Sequence, residues 1–213
     1  MANQTLQVYE AIRDDIKNGK YSPAESLKEV ELANEYNASR NTIKKSLLML
    51  EKEGFVVIEP NKGAKVRAYS LEEVLNFLEL RSVLEGFITE LTVPMLKKAD
   101  IAKLESILNQ MRTHFENHAL IEHSKCNHQF HMILHEACPN TLAVQMSNSL
   151  KNQMSKYNTK TILIPGRNEA SIAEHSAILK AIQNGEAQLA GSLMKRHILN
   201  VRETFKEHYT LLI

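Results

Sequence analysis

Apolar positions recur at helical spacing along most of the chain and give way to extended runs only once. Leu6, Tyr9, Ile12 and Ile16 share one face of a first helix, which "KNGKYSP" closes through Gly19. Ser26 and Glu29 stand at capping-box spacing and predict the start of a short helix through Leu32 and Ala33. After the tight turn "NAS", Ser39 is placed to cap a third helix along which Ile43, Leu47 and Leu50 fall on one side. "FVVIE" and "AKVRA" then flank "PNKG", two extended runs around a Pro/Gly turn that predict a β-hairpin.

From "YSLEE" onward the helical period returns and no strand is predicted. Ser70 and Glu73 repeat the capping-box spacing, and Leu71, Val74, Leu75, Leu78, Leu84, Ile88 and Leu91 follow at helical intervals. Helices are expected near 71–93, 100–118, 121–137, 141–158, 169–184 and 186–209, with breaks at Pro94, Pro139, "LIPGRN" and Gly185. The expected fold is mainly α. Residues 1–69 would form a winged helix-turn-helix with a small β-hairpin wing, and residues 70–213 an all-helical antiparallel bundle.

Charge placement gives the first half a chemistry. The third helix opens with Arg40, Lys44 and Lys45, although the partial positive charge of a helix N-terminus repels cations. Arg40 and Lys44 are also four apart, where like charges cost about 0.2–0.5 kcal/mol. A local conflict of this kind points to an outside partner that supplies the counter-charge. Together with Lys62, Lys65 and Arg67 of the hairpin, these residues describe a recognition helix and wing facing double-stranded DNA. Arginine can bond guanine and asparagine adenine, while lysines neutralise phosphates.

Composition narrows the setting. The 213 residues are 43% hydrophobic and 24% charged, with a formal net charge of +1, so a DNA-binding surface must come from local clustering. No apolar run approaches membrane-spanning length, the first 20 residues lack the apolar core of an export signal, and a cytoplasmic protein is expected. Cys126 and Cys138 are too few for a disulfide framework and are expected as buried free thiols.

All nine histidines lie at or beyond His114. In "EHSKCNHQFHMILHEAC", Cys126, Phe130, Ile133, Leu134 and Ala137 form the apolar face. Asn127 and His131, four apart, border that face, and His128 and His135 lean toward solvent. His175 falls among Ile172, Ile178, Leu179 and Ile182, and His197 among Ala190, Leu193, Met194 and Val201. Inward imidazoles need partners, since each left unbonded costs about 1–3 kcal/mol. One divalent cation would satisfy all three; carbonyl bonds within the core are the alternative. Arg81 suits an effector carboxylate or a structural pair with Glu85 one turn on.

Two sets of motifs carry a family resemblance. "YEAIRDDIKNGKY", "LKEVELA", "ASRNTIKKSLLMLEKEGF" and the hairpin glycine resemble the GntR family of bacterial transcription regulators over residues 6–67. The resemblance implies DNA contacts from Arg40, Asn41, Thr42 and Lys44 and from the turn around Gly63. Two departures are visible: Ala24 replaces the usual glycine after Pro23, and Lys44 replaces the usual arginine, whose forked contact a lysine cannot make. "RSVLE" at 81–85, "NHQFH" at 127–131, "EHSAILKAIQNGE" at 174–186 and "MKRHI" at 194–198 are similar to the FCD ligand-binding domain of the FadR branch. That similarity implies a metal site at Asn127, His131, His175 and His197 beside a small-molecule pocket. Asn127 stands where aspartate is common and makes the site more positive.

The expectation is a homodimeric, non-enzymatic transcription regulator on a two-fold symmetric operator, holding zinc or nickel and responding to a small carboxylate. Two alternatives are a regulator controlled by metal alone and a metal-dependent hydrolase. The latter lacks an HExxH motif, and Glu136 and Glu174, the glutamates nearest the histidines in sequence, have plausible surface roles. His123, one turn before Asn127, is a possible substitute ligand.

Overall fold

The computed structural model describes residues 2–59, 63–154 and 160–212. The chain divides into two compact units, Met1–Ser70 and Leu71–Ile213.

In the first unit the order is α1 (Ala2–Lys17), β1 (Ser26–Leu27), α2 (Glu29–Glu35), α3 (Arg40–Lys52), β2 (Val56–Glu59) and β3 (Gly63–Val66). Ile12, Leu32, Ile43, Leu47, Leu50, Val56 and Val66 meet in one core. Val8 joins the buried face of α1, whereas Leu6, expected there, is exposed. Ser46 Oγ donates to the Thr5 carbonyl at 2.9 Å and pins α3 to α1. Ser39 caps α3 as expected, its hydroxyl accepting from the Thr42 amide at 3.1 Å.

The short segment before α2 differs from its prediction. Ser26 and Leu27 form a strand instead of a capping box, and the residue capping α2 is Lys28, without a side-chain bond. β1 pairs antiparallel with β3 (Ser26 opposite Lys65), and β3 pairs with β2 (Val56 opposite Val66, Glu59 opposite Gly63), so the sheet order is β1-β3-β2. Two residues carry no strand periodicity of their own. The open edge of β3 decides their structure by offering backbone partners.

Entry to β1 is strained: Ala24 sits at φ 63°, in the left-handed region that costs a residue with a Cβ about 1–2 kcal/mol. Backbone bonds hold it there, the Ala24 amide donating to the Val66 carbonyl at 2.9 Å.

Among its described residues the second unit has helices and no strand: α4 (Leu71–Thr92), α5 (Lys98–Glu116), α6 (Leu120–Ala137), α7 (Thr141–Gln153), α8 (Arg167–Gln183), α9 (Ala187–Glu207) and the short α10 (Tyr209–Leu212), with 3-10 turns at Val93–Met95 and Lys160–Leu163. The helix expected over 141–158 ends at Gln153; residues 155–159 lie outside the described residues. Leu104, Met111, Phe130, Leu134, Ile178, Ile182 and Met194 build the core.

α4 and α9 approach closely because both present glycine at the crossing. A Cβ on Gly86 would lie 2.9 Å from the Gly191 carbonyl oxygen, and one on Gly191 2.8 Å from that of Gly86. The buried face of α4 turns polar in its second half, where Arg81, Ser82, Glu85, Thr89 and Thr92 replace the leucines. Thr89 and Thr92 donate to carbonyls one turn back. Arg81 and Glu85 point to a site.

Candidate metal centre and nucleic-acid interface

On α3, Ile43, Leu47 and Leu50 are buried, while Arg40, Asn41, Lys44 and Lys45 are exposed and Thr42 is half-buried. The same helix therefore has an anchored back and a free basic front. Lys65 of β3 is held by Glu59 at 3.3 Å, Arg67 stacks over the Tyr69 ring at 4.8 Å, and Gly63 takes φ 83° at the start of β3. Lys62, expected at the tip of the wing, lies outside the described residues.

The second unit brings His131 of α6, His175 of α8 and His197 of α9 together. Their ring centroids are 4.5 Å apart for His175–His197 and 5.5 Å for each pair with His131, and one nitrogen from each lies within 4.8 Å of the others. Each ring is oriented through Nδ1. His131 Nδ1 donates to Glu85 Oε2 at 3.1 Å, His175 Nδ1 to the Ser171 carbonyl at 2.7 Å, and His197 Nδ1 to Glu174 Oε2 at 2.5 Å. A carboxylate and a carbonyl only accept, so Nδ1 carries the proton in all three, and each Nε2 keeps a lone pair. Burial holds the rings neutral, pushing His131 down to about 3, His175 well below its ordinary value, and His197 down against the pull of Glu174.

Neutral imidazoles whose outer nitrogens are fixed by a carboxylate or carbonyl are the donor set of a divalent metal. Two orphaned buried atoms fit that reading: among the described residues His175 Nε2 and Asn127 Oδ1 have no hydrogen-bond partner. His131, His175 and His197 could hold one ion, with Asn127, four residues before His131 on α6, a candidate oxygen donor.

Glu85 organises the site from α4. It accepts from Arg81 Nε at 3.3 Å, from His131, from His135 Nε2 at 3.1 Å and from Ser147 Oγ at 2.8 Å. Burial favours its neutral form, but His131, His135 and the Arg81 charge outweigh that and keep it a carboxylate. Glu174 plays the parallel role for His197. Against its burial, His197, Arg167 and Asn200 hold its carboxyl down at about 2.

Three expectations are corrected here. His135 is buried on Glu85 and does not lean toward solvent. Glu174 belongs to the site and not to the surface, since it receives Arg167 at 2.8 Å as well as His197. His123 bonds the Met111 carbonyl at 3.0 Å, packs against Phe115 and stands outside the cluster, so it is no substitute ligand.

A cavity of about 540 Å³ opens beside the histidines, lined by His131, His197 and Asn127 together with Arg81, Lys125 and Lys151. Lys151 Nζ lies 2.5 Å from His128 Nδ1. Burial and then the Lys151 charge pull His128 down to about 4, so it accepts that bond as a neutral ring.

Residues 4–66 match the model of the bacterial regulatory proteins of the gntR family, and residues 76–200 match the FCD domain. The chain belongs to the GntR family, in the group with an FCD domain. Relatives match over most of its length. Escherichia coli (strain K12) HTH-type transcriptional repressor RspR is 23% identical over 201 residues, covering 94% of this chain and 88% of that one. Bacillus subtilis (strain 168) HTH-type transcriptional regulator LutR is 25% identical over 215 residues, covering 91% and 97%. The fold is that of E. coli McbR/YncC, with a TM-score of 0.77 at 17% identity over 98% of this chain and all of the other (100%). GntR-family members with this architecture are transcription regulators and not enzymes, which removes the hydrolase alternative.

In this GntR regulator the histidines stand out in the sequence, but the residues that orient them do not. Glu85 reads as a helix-surface partner of Arg81, and the residues that bury it, His131, His135 and Ser147, lie 46 to 62 positions away. The one local signal is the "EH" pair at 174–175, in which the glutamate serves a histidine of a different helix, His197.

Proposed function

We propose that this chain is a homodimeric repressor that binds a two-fold symmetric operator through α3 and is controlled by a small carboxylate in the C-terminal pocket. The observation that carries the DNA half is the exposed row Arg40, Asn41, Lys44 and Lys45 on a helix whose opposite face is fully buried. Arg40 and Asn41 are positioned to read base edges. Thr42, Lys44, Lys45, Lys62 and the turn at Gly63 are assigned to phosphates. Residues 1–69 would read DNA, and residues 70–213 would bind ligand and dimerise. Work on bacterial operator DNA implies the cytoplasm.

For the pocket, His131, His175, His197 and Asn127 would hold a divalent ion, zinc or nickel by the preference of imidazole nitrogen. Such an ion, when bound, offers coordination positions to carboxylate oxygens. Arg81, which donates to Glu85 through Nε and lines the cavity, would receive the same carboxylate. An effector that prefers one conformation of the regulator changes operator affinity by linkage. Support for the homodimer comes from α4, where Leu80, Val83 and Phe87 are 47%, 50% and 45% exposed, and from α7, which packs on α4 and exposes Leu142 and Met146.

The test uses duplexes selected by the protein from a random pool. Arg40→Ala should weaken binding by about tenfold or more, roughly 1–3 kcal/mol, and relax base preference at the position it reads, whereas Lys44→Ala should lower the salt slope by about one. Unchanged affinity, base preference and slope would remove α3 as the reading helix.

A further inference from the structure

We propose that the cavity beside the histidines takes an effector with two negatively charged groups, the second received by Lys151. The inference rests on the effector-pocket reading above and adds the charge of the ligand.

The described lining residues include the cations Arg81, Lys125 and Lys151 and contain no aspartate or glutamate. Asn127 contributes a neutral amide. Its buried Oδ1 makes no bond among the described residues. Glu85 behind His131 and Glu174 behind His197 stand against this wall and are both already bonded, Glu85 by four donors and Glu174 by His197, Arg167 and Asn200.

The cations are not equivalent. Lys125 is exposed and its charge is met by water, whereas Lys151 is half-buried and contacts a neutral histidine nitrogen instead of a carboxylate. Burial and the Arg81 charge pull Lys151 down to about 8, so it stays a cation at neutral pH. Arg81, paired from behind with Glu85, and Lys151, for which no carboxylate partner is found among the described residues, therefore offer two cationic donors to one sheltered volume, and a monoanion meets only one of them. A ligand with one group beside Arg81 and the histidines and a second at Lys151 matches both. The recognising chemistry, an ammonium and a guanidinium, fits a carboxylate or a phosphoryl group at the second position.

Isothermal titration of the metal-loaded full-length protein decides it, using succinate against butyrate and phosphonoacetate against acetate. Wild-type protein should bind at least one dianion about tenfold or more tighter than its matched monoanion, and the pair that shows the preference names the second group. Lys151→Met should remove that preference while leaving monoanion affinity unchanged, and Lys151→Arg should retain it. Equal binding of dianion and monoanion by the wild type overturns the proposal and leaves the carboxylate pocket standing. A Lys151→Met variant that weakens both members of a pair alike, with an unaltered melting curve, overturns the role of Lys151. Binding of none of the four acids ends the carboxylate-pocket reading and this inference with it.

Discussion

Glu85 on α4 and His131 on α6 stand 46 residues apart in the chain and 3.1 Å apart in the fold, carboxylate oxygen to Nδ1. That bond fixes the tautomer of His131 and leaves its other nitrogen for the cluster with His175 and His197. The same carboxylate holds Arg81, so the histidine site and the cavity wall share one anchor.

Replacing that anchor has a measurable consequence. Glu85→Gln keeps the size of the side chain but presents an amide, which has one acceptor oxygen where four donors now point. Zinc affinity, measured by competition with a chromogenic chelator, should fall about 10- to 100-fold. Affinity equal to wild type would separate Glu85 from the metal site.

Backbone strain before β1 predicts a gain. Ala24 holds φ 63° without the freedom of glycine, so Ala24→Gly should relieve about 1–2 kcal/mol of strain and lose about 0.4–1 kcal/mol to greater freedom in the unfolded chain. The net expectation is stabilisation by about 0.5–1 kcal/mol, seen as a rise of a few degrees in the melting temperature. A lower melting temperature would show that the turn imposes no strain.

Acid should loosen the first unit through one cluster. Lys20 lies 2.6 Å from both Asp15 and Glu35, Tyr36 donates to Asp15 at 2.7 Å, and Tyr21 donates to Glu35 at 2.8 Å. Asp15 feels the upward push of burial, yet the bonds from Lys20 and Tyr36 hold it below its ordinary value; those from Lys20 and Tyr21 do the same for Glu35. Lowered native values mean a contribution that is complete above the ordinary carboxylate range and lost as pH falls below it through the native values. Thermal melts at about pH 6 and about pH 3 should differ less in Lys20→Met than in wild type. An equal difference in both would show that the cluster does not couple to folding.

How much of this was legible in the sequence follows from the range of the interactions. α3 could be read because its cap and its apolar face, Ser39 through Leu50, are set within one helix. β1 could not: Ser26 and Glu29 have the spacing of a capping box, and only the distant β3 makes Ser26 and Leu27 a strand. His131, His175 and His197 were visible as polar residues on apolar faces. His135 was misread because it lies beside the apolar face of α6, and the partner that buries it, Glu85, comes from α4, 50 positions away. The glycine crossing at Gly86 and Gly191 carries no signal in either helix alone, since each residue is needed only by the other's backbone.

The central claim is that His131, His175 and His197 present Nε2 lone pairs to one divalent ion. Metal analysis combined with native mass spectrometry of the purified full-length protein tests it most directly. One zinc or nickel per chain is expected, lost in His175→Ala while the far-UV circular dichroism of that variant stays helical. Wild-type protein that takes up neither ion, or a His175→Ala variant that binds as much as wild type, would contradict it.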